Sequence, residues 1–250
     1  KKSTIFYFSE FLLKKKKKIL NKYRSRIIDI QKKRDNNPNK FENSTEKMKF
    51  EIFTSGTTSN PKKLIITEEN FIQRARYAIS QYKLNNKNTF IICTPLTHSL
   101  AIKIFFMSFV LGAKLVIINK FTVKKWIEIV KQNKNCVSFL TSFQLKNLMN
   151  NKFYNQIKEN NLDKIISCAD NLDTKIKKKI KFKLKSKNFK IFDTYGTTET
   201  DGISSYNIFH KSYPFNTVGK INKRFDVKIL KGNTILKDND IGDIYCKSPF

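Results

Sequence analysis

The sequence has little of what marks extended or cross-linked proteins. With 7 Gly and 5 Pro in 250 residues it cannot be collagen-like or a flexible linker, and a 40% hydrophobic share excludes generic disorder. Cysteine is scarce too. Cys93, Cys136, Cys168 and Cys246 form no C-x-x-C pair or Cys/His cluster, so neither a zinc site nor a disulfide framework is expected, and reduced thiols in a cytoplasmic protein are. Long apolar runs are missing. Ile5 to Leu13 is interrupted by Ser9 and Glu10 and followed by Lys14 to Lys18 with no small-residue cleavage site, so a signal peptide is not expected. Leu100 to Ile118 contains Lys103, Gly112 and Lys114, short of the roughly 20 apolar residues that span a bilayer, so no membrane span is expected.

Acidic residues are the largest deficit: 20 Asp+Glu face 50 Lys+Arg, a net charge of +30. Such an excess raises nucleic acid or an anionic membrane as partner. Lysine, however, decorates almost every segment together with Asn, Ile and Phe, four residues that A/T-rich codons can encode. We read a chain-wide bias and expect no nucleic-acid partner. A basic nucleic-acid binder stays open as an alternative, and steep salt dependence would mark it.

What is present is an alternation of strand and helix patterns. Strands are expected at Phe50–Phe53, Leu64–Thr67, Thr89–Cys93, Lys114–Ile118, Cys136–Leu140, Lys164–Ser167 and Lys190–Asp193. Helices are expected at Glu68–Tyr82, at Ala101–Leu111 stopped by Gly112, at Val123–Gln132, at Phe143–Asn150 and over the basic stretch Asp173–Lys185. The last of these reads as a solvated lysine face over Ile176, Ile180 and Leu184. The pattern predicts an α/β fold, a mostly parallel sheet layered with helices on both faces. From Val227 the texture changes. Val227–Leu230, Thr234–Leu236 and Asp243–Lys247, separated by turn residues, predict a small antiparallel β subdomain at the C-terminal end. The expected organisation is a basic, poorly defined segment 1–49 with a helix at Lys14–Ile30 and an exposed connection at Gln31–Lys49, an α/β nucleotide-binding core 50–215, and the start of the β subdomain at 216–250.

Two segments carry the chemistry. Thr54-Ser55-Gly56-Thr57-Thr58-Ser59-Asn60-Pro61-Lys62-Lys63 follows a predicted strand and offers hydroxyls, backbone N–H groups and a cation, a set suited to polyphosphate. It is not a Walker loop, because no second Gly precedes Lys62 and Lys63 stands where Ser or Thr is required. Asp193-Thr194-Tyr195-Gly196-Thr197-Thr198-Glu199-Thr200 also follows a strand and offers an aromatic face, hydroxyls and a carboxylate able to hold Mg2+. Taken singly, the first is a plain Ser/Thr turn, Glu199 a surface carboxylate and His98 a helix-start residue.

Together they resemble the adenylate-forming superfamily of acyl-CoA synthetases, peptide-synthetase adenylation domains and luciferases. Its pattern Y/F-T-S-G-T-T-G-x-P-K-G is met by Phe53 to Lys63, with Ser59 and Lys63 in place of glycines, and Y-G-x-T-E is met in full by Tyr195 to Glu199. Between them, Pro95-Leu96-Thr97-His98 is similar to P-L-x-H, and Ser167-Cys168-Ala169-Asp170-Asn171-Leu172 occupies the place of S-G-G-x-P-L. The likeness covers residues 50–250.

The resemblance implies an ATP- and Mg2+-dependent enzyme that turns a small-molecule carboxylic acid into an acyl-adenylate. The acyl group then passes to a thiol, that of CoA or of phosphopantetheine on an acyl carrier protein. It implies that Thr54, Ser55, Gly56, Thr57, Thr58 and Lys62 wrap the β- and γ-phosphates, and that Thr198 binds the α-phosphate while Glu199 holds Mg2+. It further implies that Tyr195, followed by Gly196, stacks on adenine with Ala169, Asp170 and Asp193 near the ring's edge, and that His98 lines the mouth of an acyl pocket. That pocket would draw on His98 to Phe106, Ser142 to Gln144 and Gly202 to Ser204. In the family a ribose-binding Asp and a mobile C-terminal domain with a catalytic Lys follow the segment similar to Ile241–Phe250. A non-catalytic relative that keeps the fold and binds nucleotide is the remaining alternative.

Overall fold

The computed structural model describes residues 48–54, 62–184, 187–211, 214–237 and 240–250. The basic helix expected at Lys14–Ile30, and all but the last two residues of the connection expected at Gln31–Lys49, lie outside them.

β1 (Lys49–Thr54) and β2 (Lys62–Thr67) form an antiparallel hairpin in the register Lys49↔Thr67 to Thr54↔Lys62. α1 (Glu68–Tyr82) follows at once, because Thr67 caps it by accepting the Asn70 N–H at 3.1 Å and Glu68 and Glu69 favour the positive end of the helix dipole. The order then runs β3 (Thr89–Ile92), α2 (Ser99–Leu111), β4 (Lys114–Ile117), α3 (Val123–Gln132), β5 (Cys136–Thr141) and α4 (Ser142–Asn150). After a 3-10 turn at Phe153–Asn155 come β6 (Leu162–Cys168), α5 (Thr174–Leu184), β7 (Lys190–Thr197), β8 (Asp201–Asn207), β9 (Lys220–Ile221), β10 (Asp226–Lys231), β11 (Thr234–Ile235) and β12 (Asp243–Lys247). Gly112 ends α2 at φ 59°, a left-handed conformation that glycine adopts without strain.

The main sheet has seven strands in the order β4-β3-β5-β6-β7-β8-β9, parallel from β4 to β7 and antiparallel from there to β9. β8 and β9 carry no strand expectation above, and β9 lies beyond residue 216 yet completes this sheet. The separate three-stranded sheet, β11-β10-β12, is antiparallel as expected.

Alternation along the central strands feeds two cores. Ile91, Cys136, Leu140, Ile165 and Ile191 face Trp126, Ile127 and Val130 of α3, Leu145 and Leu148 of α4, and Ile180 and Leu184 of α5. Phe90, Ile92, Val137, Phe139 and Ile166 face Phe71, Ala75 and Tyr82 of α1 and Ile104 and Met107 of α2. Burial on both sides explains why β3 and β5 are near-continuous apolar runs rather than alternating ones. The hairpin is docked on the second core through Ile52 and Ile66, with Phe50 edge-on to Phe71 at 5.1 Å.

α5 departs from the expected solvated lysine face. Lys177 is 2% exposed, on the same stripe as Ile180 and Leu184. Its ammonium is neutralised by Asp193, which is what lets a lysine occupy a core position.

Candidate functional site

β3 is flanked by β4 and β5, so the chain leaves it in one direction and returns to the other side, and the loops after β3 and β5 part company. Ligands of doubly wound sheets sit beyond the carboxyl ends of the strands at such a point. Here the Gln144 side-chain amide donates to the Cys93 carbonyl at 3.1 Å, tying the end of β3 to the start of α4. Thr141 and Gln144 close a capping box, and Ser142 Oγ donates to the Asp170 carbonyl at 2.8 Å, tying α4 to the loop after β6. Ala169, the first residue of that loop, stands at φ 72°, in a region that costs a non-glycine residue about 1–2 kcal/mol. It occupies the second glycine of S-G-G-x-P-L.

The β7–β8 corner is more tightly determined. A register shift falls between Tyr195 and Gly196, and a Cβ on Gly196 would lie 1.9 Å from the Asp201 carbonyl oxygen, so only glycine fits. The Thr197 and Thr200 hydroxyls lie 3.1 Å apart, and each accepts the other residue's N–H, at 3.2 and 3.3 Å. Asp201, at φ 64°, ion-pairs with Lys103 of α2, whose ammonium lies 5.9 Å from the centre of the Phe139 ring. Arg74 of α1 donates from its two terminal nitrogens to the Thr198 and Glu199 carbonyls, each at 3.0 Å. Burial pulls the Arg74 guanidinium down from its ordinary value, and the charges of Asp201 and Glu199 pull it back up.

Thr198 is half-buried on this turn and Glu199 is exposed. Tyr195 is half-buried, and Ala169 and Asp170 are exposed. The β6–β7 ladder ends at Ser167↔Asp193, and Ala169 and Tyr195 each follow two residues past it in sequence. Asp193 itself is buried. Its carboxylate meets the Lys177 ammonium at 2.7 Å, and burial raises its pKa while Lys177 and the Thr194 N–H oppose the rise. His98 is exposed at the start of α2, where its N–H donates to the Pro95 carbonyl at 3.0 Å and its own carbonyl accepts from Ala101. Thr54 and exposed Lys62 face each other at the open end of the hairpin, where Thr54 Oγ1 lies 3.5 Å from the Lys62 carbonyl oxygen. Ser55, Gly56, Thr57 and Thr58 lie outside the described residues.

The family model described as AMP-binding enzyme matches residues 9–250. The chain belongs to the AMP-binding enzyme family. It is 25% identical over 207 residues to the D-alanine--D-alanyl carrier protein ligase of Bacillus cytotoxicus, covering 79% of this chain and 40% of that one. To the 2-succinylbenzoate--CoA ligase of a Geobacillus species it is 23% identical over 201 residues, covering 79% and 39%. The chain thus spans about two fifths of the length of the curated relatives it matches. The solved O-succinylbenzoate CoA synthetase MenE of Bacillus subtilis, in complex with AMP, superposes at a TM-score of 0.71 with 21% identity over 80% of this chain and 40% of that one. Other MenE structures hold ATP with a magnesium ion, or the acyl-adenylate intermediate OSB-AMP.

Arg74, Lys103 and Lys177 are the site residues of this AMP-binding family member that the sequence reading passed over. All three are charges at buried positions of a helix, Lys103 the one charge in the apolar α2 and Arg74 standing among Phe71, Ala75 and Ala78. That placement was the available signal. A cation at a core position requires a partner, and here each partner belongs to β7, β8 or the turn between them.

Among the described residues no three His, Cys, Asp or Glu side chains converge as a metal site, and no helix is long and apolar enough to cross a membrane. The four cysteines are unpaired, with burial pushing the Cys136 and Cys168 thiols up to about 12. Burial thus disfavours the thiolate, the reactive form, at these two.

Proposed function

We propose that this protein uses ATP and Mg2+ to activate a small carboxylic acid as an acyl-adenylate, and that the acyl group then passes to a thiol of CoA or of a carrier protein. In the first step a carboxylate oxygen forms a bond to the α-phosphorus and the bond to pyrophosphate breaks. Such in-line transfer asks the protein mainly to position charge. The observation that carries the reading is the Thr197–Thr200 turn, fixed by buried Arg74 at the carboxyl end of β7 with the Glu199 side chain exposed.

The residues present fit the nucleotide and its metal. Mg2+ is usually held by one or two carboxylates, with phosphate oxygens and water completing its shell, so a lone Glu199 suffices where three protein ligands do not converge. Bound there, the ion would neutralise charge that develops on the phosphates. Thr198 donates to the α-phosphate, and Thr54, Lys62 and residues 55–58 hold the outer phosphates. Tyr195 offers its ring to adenine beside Ala169 and Asp170, whereas the buried Asp193 carboxylate is engaged by Lys177. His98 opens the acyl pocket at the start of α2. The names of the relatives support both acceptor types, CoA and carrier protein.

The test is acid-dependent exchange of labelled pyrophosphate into ATP by the 250-residue chain, run with fatty, aromatic and amino acids. Exchange stimulated by one acid class is expected, and it names the substrate. Absence of exchange with every acid, together with absence of ATP binding, would refute the reading.

A further inference from the structure

Resting on the reading of Glu199 as the Mg2+ ligand, we propose that Arg74 is the positioning residue for the metal: it holds the Thr198–Glu199 peptides so that the carboxylate meets the ion already in place. Arg74 lies on α1, 124 residues before Thr198, and is 5% exposed. Its two terminal nitrogens grip two successive carbonyls, a forked contact that a lysine's single ammonium cannot reproduce. The Thr197 and Thr200 bonds fix the shape of the turn, and Arg74 fixes its place against α1.

Stability alone does not account for this residue. A buried guanidinium carries a desolvation cost, and its Nε–H is buried with no hydrogen-bond partner among the described residues. A well-packed apolar side chain between Phe71 and Ala75 would join helix to sheet at lower cost. What the guanidinium adds is aim and field. Arg74 brings its positive charge to a turn flanked by two carboxylates, Asp201 and Glu199, of which Asp201 is already paired with Lys103. Groups that orient a metal's ligand typically contribute 10–100-fold to metal affinity.

The experiment measures Mn2+ affinity by electron paramagnetic resonance, with Mn2+ standing for Mg2+, in ATP-loaded full-length protein. Arg74→Lys and Arg74→Met are compared with Tyr82→Phe, which cuts the 2.8 Å bond from the same helix to Thr194 and leaves the turn alone. Both Arg74 variants are expected to weaken Mn2+ binding about 10–100-fold while ATP binding in EDTA is unchanged. Tyr82→Phe is expected to lower Tm without moving Mn2+ affinity. In a Glu199→Gln background, Arg74→Lys should have no further effect. Wild-type Mn2+ affinity in folded Arg74→Lys overturns the proposal. Failure of the underlying reading shows elsewhere, as wild type whose Mn2+ affinity is untouched by Glu199→Gln.

Discussion

The two motif segments are held in opposite ways. The hairpin that carries Thr54 and Lys62 is anchored by Ile52 and Ile66, and toward its open end it shows its own ladder, a 3.5 Å contact from Thr54 Oγ1 and a solvent-exposed Lys63–Glu51 pair at 2.8 Å. The β7–β8 hairpin is gripped from three helices at once, by Arg74 and Lys103 at its corner and by Lys177 within β7, at Asp193. All three grips are buried, so they act in a low-dielectric setting where an ion pair or charged hydrogen bond resists displacement. The corner therefore holds Thr198 and Glu199, the proposed α-phosphate and metal ligands, at fixed positions, while the hairpin end presents its lysine to solvent.

The strongest way to break that contrast is at Lys177. Replacing it with Met leaves the Asp193 carboxylate buried without its cation, and such a loss costs about 3–5 kcal/mol. A urea midpoint shift of that size is expected, with the slope unchanged. The acid dependence supplies a second signature. Burial already holds the Asp193 carboxyl above its ordinary value, so the folded form favours the proton. Stability linked to this group is present below the ordinary carboxylate pKa and lost as pH rises through the raised one. Without Lys177 the rise is larger, so the variant should regain stability as pH falls. A deficit independent of pH would mean that Lys177 acts by packing, not charge.

Chemistry should follow the opposite rule from stability. Glu199→Gln and Lys62→Ala alter exposed side chains, so Tm should hardly move, whereas pyrophosphate exchange should fall by about 10²–10³-fold in each. Unchanged exchange in either variant would remove that residue from the site. Equal losses from a gripped corner and a solvated hairpin end would show that the grip serves orientation and not the chemical contribution of the residue it holds.

Much of this was legible beforehand because it is local. α1, α3 and β12 fall at the residues that periodicity and caps assigned, Glu68–Tyr82, Val123–Gln132 and Asp243–Lys247. β8 was not, since Asp201-Gly202-Ile203-Ser204-Ser205-Tyr206-Asn207 has no run of apolar residues. Its strand state rests on pairing with β7 and on bonds from further along the chain, the Asn222 side chain donating to the Gly202 carbonyl at 2.7 Å and Ser204 Oγ to the Val218 carbonyl at 2.9 Å. The site divides the same way. Tyr195 to Glu199 announce themselves as a motif, but Arg74 and Lys103, which hold its turn, belong to helices far away in sequence and read as part of a general excess of basic residues. Asp193 shows the cost of local reading most clearly: the motif places it by the nucleotide, and only the fold reveals that Lys177 already engages it.

The smallest effect belongs to the hairpin, where Glu51 and Lys63 pair with about half of each side chain exposed, 53% and 47%. Water and salt screen such a pair, so a double-mutant cycle of Glu51→Gln and Lys63→Gln should give a coupling of about 0.2–1 kcal/mol that fades in high salt. The measurement sharpens the contrast because the two regions use the same kind of bond in different surroundings. A coupling near the Lys177–Asp193 value, insensitive to salt, would mean that the open end of the hairpin is as rigidly held as the corner. The Lys62 ammonium would then be a second fixed reference for the phosphates. A small, salt-sensitive coupling leaves the β7–β8 corner as the element that sets the geometry, to which the hairpin's lysine adapts.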